Sequence, residues 1–83
     1  MKVLVTGGAG FIGSAVIRYL IKEKGINVVN IDCLTYSGNL LSLEEVNRDD
    51  LYSFRKIDIS DSEKLRIVFD EEQPNAVINL AAE

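Results

Sequence analysis

The sequence predicts an α/β fold, a doubly wound parallel sheet of about four strands in the order 3-2-1-4, on three observations. Short apolar, β-branched runs alternate with amphipathic stretches along the whole chain, the first run ends in a cluster of glycines, and the second ends in an acidic residue.

The first element, "KVLVT" (2–6), is a short β-branched run that reads as a strand buried on both faces. Residues 11 to 24 follow as a helix, with Ile12, Val16 and Leu20 forming an apolar stripe beside Phe11, Ala15 and Tyr19. Lys22 and Lys24 suit the negative end of its dipole, and Gly25 supplies a left-handed stop. "NVVNID" (27–32) is the second strand, followed by a loop with Ser37, Gly38 and Asn39 and a short helix over 43–47, started by Ser42 and Glu45 at capping-box spacing. "LYSFRKIDI" (51–59) alternates as a less buried strand suited to a sheet edge. Ser60 and Glu63 form a second capping box, Leu65, Val68 and Phe69 give the next helix its apolar face, and Pro74 closes it. The last strand is "AVINL" (76–80), and no linker, repeat or low-complexity tract interrupts the series.

Composition narrows the function classes. With 83 residues the chain makes at most one domain, and a core of that size is marginal. The net charge of −4, with nine scattered Lys and Arg, argues against a nucleic-acid partner. One cysteine and no histidine leave no disulfide and no ordinary zinc site, which fits a reducing cytoplasm; Cys33 itself reads as a buried structural thiol. Lys2 and the uncharged stretch after it superficially copy a signal peptide, but glycines interrupt the stretch and it is shorter than the roughly 20 residues of a membrane span, so no membrane segment is expected.

"TGGAGFIG" (6–13) stands between a strand and a helix, where glycines let a turn form, a pyrophosphate approach the backbone, and helix and strand pack closely. Gly8, Gly10 and Gly13 fit one glycine pattern, and Gly7, Gly10 and Gly13 fit an overlapping one. In both, the helix beginning near Phe11 aims its unpaired N–H groups at the loop, the arrangement that binds phosphate; the bland alternative is a tight turn alone. Asp32 follows Gly13 at the spacing of the carboxylate that accepts hydrogen bonds from the adenosine ribose. A 2′-phosphate about 4 Å from it would meet roughly 4 kcal/mol of repulsion at an effective dielectric near 20, which favours NAD over NADP. Asp58 and Ile59 end the third strand, where they either flank the adenine or only order the turn before Ser60. Tyr52 and Lys56 match Tyr-x-x-x-Lys, but on a strand they stand roughly 13 Å apart and cannot act together.

"MKVLVTGGAGFIGSAVIRYLI", with "IDCLTYSGNLLSL" and "INLAAE", resembles the extended short-chain dehydrogenase/reductase family, in particular its nucleotide-sugar dehydratases. The resemblance covers essentially the whole chain. It implies a Rossmann-type NAD-binding domain of which residues 1–83 are the N-terminal part, with the substrate domain absent. Its dinucleotide loop falls on Gly7, Gly10, Phe11, Ile12 and Gly13, its ribose-binding acid on Asp32, and further loop contacts on Leu34, Thr35 and Gly38. The adenine-flanking pair falls on Asp58 and Ile59, and the stretch near the cofactor's centre on Leu80, Ala81 and Ala82. The chain departs from the family at Cys33, where Lys is usual, and at Asn79, where His is frequent.

The implied activity is that of an NAD-dependent lyase that converts dTDP-glucose to its 4-keto-6-deoxy form: hydride leaves C4 for NAD, water is lost across C5 and C6, and hydride returns to C6. The family's catalytic Thr, Asp–Glu pair and Tyr-x-x-x-Lys lie past Glu83, so the chain alone is expected to be inactive. A UDP-sugar epimerase-type enzyme and a non-catalytic cofactor-binding or structural unit are the alternatives. In the order 3-2-1-4, strand four is an unguarded edge in these 83 residues, open to self-association.

Overall fold

A computed structural model describes residues 1–7, 11–33 and 49–80, Phe11 by its backbone only. The elements run β1 (Lys2–Thr6), α1 (Phe11–Lys22), β2 (Asn27–Asp32), β3 (Tyr52–Lys56), α2 (Ser62–Glu72) and β4 (Ala76–Asn79). All strand pairs are parallel and the sheet order is β3-β2-β1-β4, as expected.

Alternation along the strands splits the core between the two faces of the sheet. Val3, Val5 and Val28 are buried with Ile17 and Ile21 of α1, and Tyr52, Ala76 and Ile78 pack around them. Leu4, Val29 and Ile31 are buried with Val68 of α2, next to Ile57 and Leu65. The helices therefore cover opposite faces, which makes the sheet doubly wound. β1 and β2 are buried almost throughout, and β3 and β4 form the two edges with half-exposed side chains.

α1 turns a different face to the sheet from the expected stripe. Ile12 and Tyr19 are 66% and 52% exposed, and Ala15 is also exposed, whereas Gly13, Ser14, Ile17 and Ile21 are buried. Apolar residues occupy so much of this helix that hydrophobicity alone does not select a face. The small residues at 13 and 14 do, because they let the helix approach the strands closely. α1 also stops two residues earlier than expected. Gly25 adopts a left-handed φ of 63°, its N–H bonds to the Ile21 carbonyl at 3.1 Å, and the Ile26 N–H bonds to that of Leu20 at 3.0 Å.

β3 is shorter than the expected 51–59, because Asp58 bends the chain. Its carboxylate accepts the Ser60 N–H at 2.9 Å and the Ser60 hydroxyl at 2.8 Å, and its carbonyl accepts the Asp61 N–H at 2.8 Å. Ser60 is thereby drawn off the cap position. Asp61 caps α2 in its place, accepting the Lys64 N–H at 3.1 Å. α2 ends at Glu72, before the left-handed Gln73 and Pro74, and only Val68 of its expected apolar face is buried, with Phe69 39% exposed. β4 ends at Asn79, one residue short of the expected range, although the Leu80 N–H still reaches the Thr6 carbonyl at 2.9 Å. Cys33 is exposed rather than buried, since it follows the last residue of β2 and has left the sheet. The short helix expected over 43–47 lies outside the described residues.

Candidate functional site

Ligands of open parallel sheets gather beyond the carboxyl ends of the strands, and here the ends of β1, β2 and β4 stand side by side. Thr6 is in register with Ile31 on one side and Asn79 on the other. Gly7 leaves β1 with a φ of 77°, a conformation that favours glycine, and its N–H bonds to the Ile31 carbonyl at 2.8 Å. The start of the glycine-rich segment is therefore fastened to the strand that ends one residue later at Asp32.

α1 begins at Phe11, with Ile12 exposed and Gly13 buried. The positive dipole end of a helix, whose first-turn N–H groups have no intrahelical carbonyl to bond, favours an anion near that terminus. Asp32 is half-buried at the end of β2, and its carbonyl accepts the Ile57 N–H at 3.1 Å. Asp58 is exposed in the turn after β3, and the Ser60 N–H, followed by the Ser60 hydroxyl, holds its carboxyl below the usual range. The turn-ordering role foreseen for Asp58 is thus present. Ile59 is 40% exposed and lines an open, mostly apolar hollow of ≈ 250 Å³ with Leu4, Thr6, Leu65, Phe69, Val77 and Asn79. Leu80 is half-buried just after β4. Gly8, Gly10, Leu34, Thr35, Gly38, Ala81 and Ala82 lie outside the described residues.

A helix N-terminus follows β1 and a carboxylate stands at the end of β2, and the apolar hollow opens on the α2 face, between α2, β1 and β4. A helix N-terminus suits an anionic group, and a carboxylate suits a ligand that donates hydroxyls. Among the described residues no group of three potential metal-binding side chains comes together. Tyr52 and Lys56 are the two ends of β3, as the strand reading of that pair required. Burial, then the charge of Asp32, pushes the Tyr52 hydroxyl up, against the opposing effect of its bond from Asn30 Nδ2 at 3.1 Å.

Three features here are invisible in the linear order of residues. Lys56 is the register partner of Asp32, so a cation stands on the strand beside that carboxylate. Asn30, wholly buried two residues before Asp32, has an Oδ1 without a hydrogen-bond partner. Thr6 Oγ1 donates to Asn79 Oδ1 at 2.6 Å, across the ends of β1 and β4. Only strand register brings these residues together, although a Thr and an Asn at the ends of apolar runs were a signal that something polar was being satisfied there.

A family model described as GDP-mannose 4,6 dehydratase matches residues 4–83. The dTDP-glucose 4,6-dehydratase of Salmonella typhimurium is 54% identical over 83 residues, which are all of this chain and 23% of that enzyme. The crystal structure of a dTDP-glucose 4,6-dehydratase from Bacillus anthracis in complex with NAD has a TM-score of 0.94 at 40% identity, covering 100% of this chain and 27% of the other. A UDP-glucose 4-epimerase from Thermotoga maritima, solved with UDP-glucose, has a TM-score of 0.85 at 40% identity, covering 100% and 25%. The chain thus spans roughly a quarter of the length of these relatives. None of these similarities supports the expected pairing of copies through β4.

Proposed function

Since the chain belongs to the GDP-mannose 4,6 dehydratase family, we propose that it forms the N-terminal, NAD-binding part of a nucleotide-sugar dehydratase that converts dTDP-glucose to its 4-keto-6-deoxy form. The observation that supports this reading is the bond from the Gly7 N–H to the Ile31 carbonyl, which holds the glycine-bearing exit of β1 against β2 one residue before Asp32. The 54% identity to a dTDP-glucose 4,6-dehydratase supports the substrate.

In this reading Gly7, Gly10, Phe11, Ile12 and Gly13 surround the diphosphate, and Asp32 accepts hydrogen bonds from the adenosine ribose. Leu34, Thr35 and Gly38 extend that half of the site, Asp58 and Ile59 flank the adenine, and Leu80, Ala81 and Ala82 approach the centre of the dinucleotide. NAD, when bound, supplies the hydride acceptor. Residues 1–83 bind and orient it and contribute no catalytic group, so the isolated 83-residue chain is expected to turn over no dTDP-glucose. A cytoplasmic setting accords with the single cysteine and with the absence, among the described residues, of a helix long and apolar enough to cross a membrane.

Calorimetric titration of the intact protein with NAD and NADP, with Asp32→Ala alongside, tests the site. NAD binds more tightly in the wild type and the variant narrows the gap, while Lys56, opposite Asp32, keeps the discrimination below the roughly 4 kcal/mol of an unscreened charge pair. Equal wild-type affinity for the two cofactors would contradict the role of Asp32. The epimerase reading draws on the 40% identity to the Thermotoga maritima enzyme. Product analysis with dTDP-glucose and UDP-glucose separates the two, since only a dehydratase forms a 4-keto-6-deoxy sugar.

A further inference from the structure

β1 is apolar from Val3 to Val5 and then places a hydroxyl at Thr6, which is only 7% exposed. Burying a hydroxyl is costly unless it is hydrogen-bonded, and valine has nearly the same shape without that cost. The hydroxyl is bonded across the sheet, to Asn79 Oδ1 at 2.6 Å. Asn79 is exposed, so the bond is not a by-product of core packing on the β4 side.

Its position suggests its use. On one side of Thr6, the Gly7 N–H is held by the Ile31 carbonyl at 2.8 Å; on the other, the Thr6 carbonyl receives the Leu80 N–H at 2.9 Å. The side-chain bond thus joins the two strand ends at the point where β1 gives way to the glycine-rich segment and β4 to Leu80. Both side chains also line the hollow that contains Ile59.

We propose that Thr6 and Asn79 are a positioning pair, which sets the separation of the two strand exits between which a dinucleotide lies. The proposal rests on the NAD reading above. Neither residue is catalytic; the pair acts through the segments that follow β1 and β4.

The test is a double-mutant cycle in the intact protein, with Thr6→Val, Asn79→Ala, the double variant and Thr6→Ser, reading NAD affinity by calorimetry and thermal unfolding in parallel. Loss of one net hydrogen bond predicts about tenfold weaker binding for Thr6→Val and for Asn79→Ala, no further loss in the double variant, and near wild-type affinity for Thr6→Ser. A lowered unfolding temperature with unchanged NAD affinity would show a purely structural bond and overturn the proposal, as would additive single effects. Wild-type protein that does not bind NAD overturns both the cofactor reading and the pair's role, whereas normal wild-type binding with an unaffected Thr6→Val overturns only the latter. If Thr6→Val does not fold, Asn79→Ala, at an exposed position, decides by the same criteria.

Discussion

Replacing Glu72 by glutamine tests what ties the C-terminal end of α2 to the sheet. The Glu72 carboxylate accepts Lys2 Nζ at 2.9 Å and Arg55 Nη2 at 2.6 Å, from β1 and β3, while Arg55 Nη1 bonds Glu71 Oε1 at 2.8 Å. The Glu72 side chain is 16% exposed and those of its two partners 33%. The pairs therefore lie between an exposed ion pair, about 0–1 kcal/mol, and a sheltered bond to a charged group, about 1.5–3 kcal/mol. Glutamine keeps one acceptor oxygen but no charge, so the expected loss is about 1–2 kcal/mol.

The pH dependence has a definite sign. The bond from Lys2, aided by that from Arg55 and opposed by burial, holds the Glu72 carboxyl below its ordinary 4.5. The unfolded chain then takes up the proton more readily, so the stabilisation is complete above the ordinary value and is lost as pH falls through the lower, folded one. Urea unfolding of both proteins reads this as a midpoint shift at constant slope. The gap is full near neutral pH, narrows as pH falls below the ordinary value, and closes once Glu72 is itself protonated in the folded protein. Equal stabilities at neutral pH, or a gap undiminished in acid, would refute the reasoning.

Two further substitutions test the packing and the cap of α2. Val68→Ala, at 1% exposure, costs about 1.5–3 kcal/mol in chemical denaturation, whereas Ile67→Ala, at 48% exposure, stays within about 0.5 kcal/mol; similar losses at both sites would mean that α2 does not dock by this face. Asp61→Ala costs about 1 kcal/mol by removing the cap, and Ser60→Ala costs the helix less because its hydroxyl serves Asp58, a ranking that thermal unfolding reverses if Ser60 is the cap.

Local order was legible where one signal had no rival. β1 and β2 are apolar β-branched runs with ends marked by Gly7 and by Asp32, and Gly25 stops α1 as its conformational freedom suggests. Legibility failed where neighbouring residues offered equivalent choices. Ser60 and Asp61 are both competent caps, and the preference of Asp58 for Ser60 decided between them. α1 has apolar side chains on more than one face, and the buried face was chosen by how closely Gly13 and Ser14 let it approach the sheet.

The candidate site divides along the same line. The strand–glycine–helix junction and the spacing to Asp32 are properties of one continuous stretch of chain, so residue order by itself determined that a glycine-rich junction and a carboxylate belong to one βαβ unit. Tertiary structure alone decided that Lys56 stands opposite Asp32 and that Thr6 meets Asn79. Those pairs join strands far apart in sequence, and their register is set by two helices packing on opposite faces of the sheet, which no local pattern encodes.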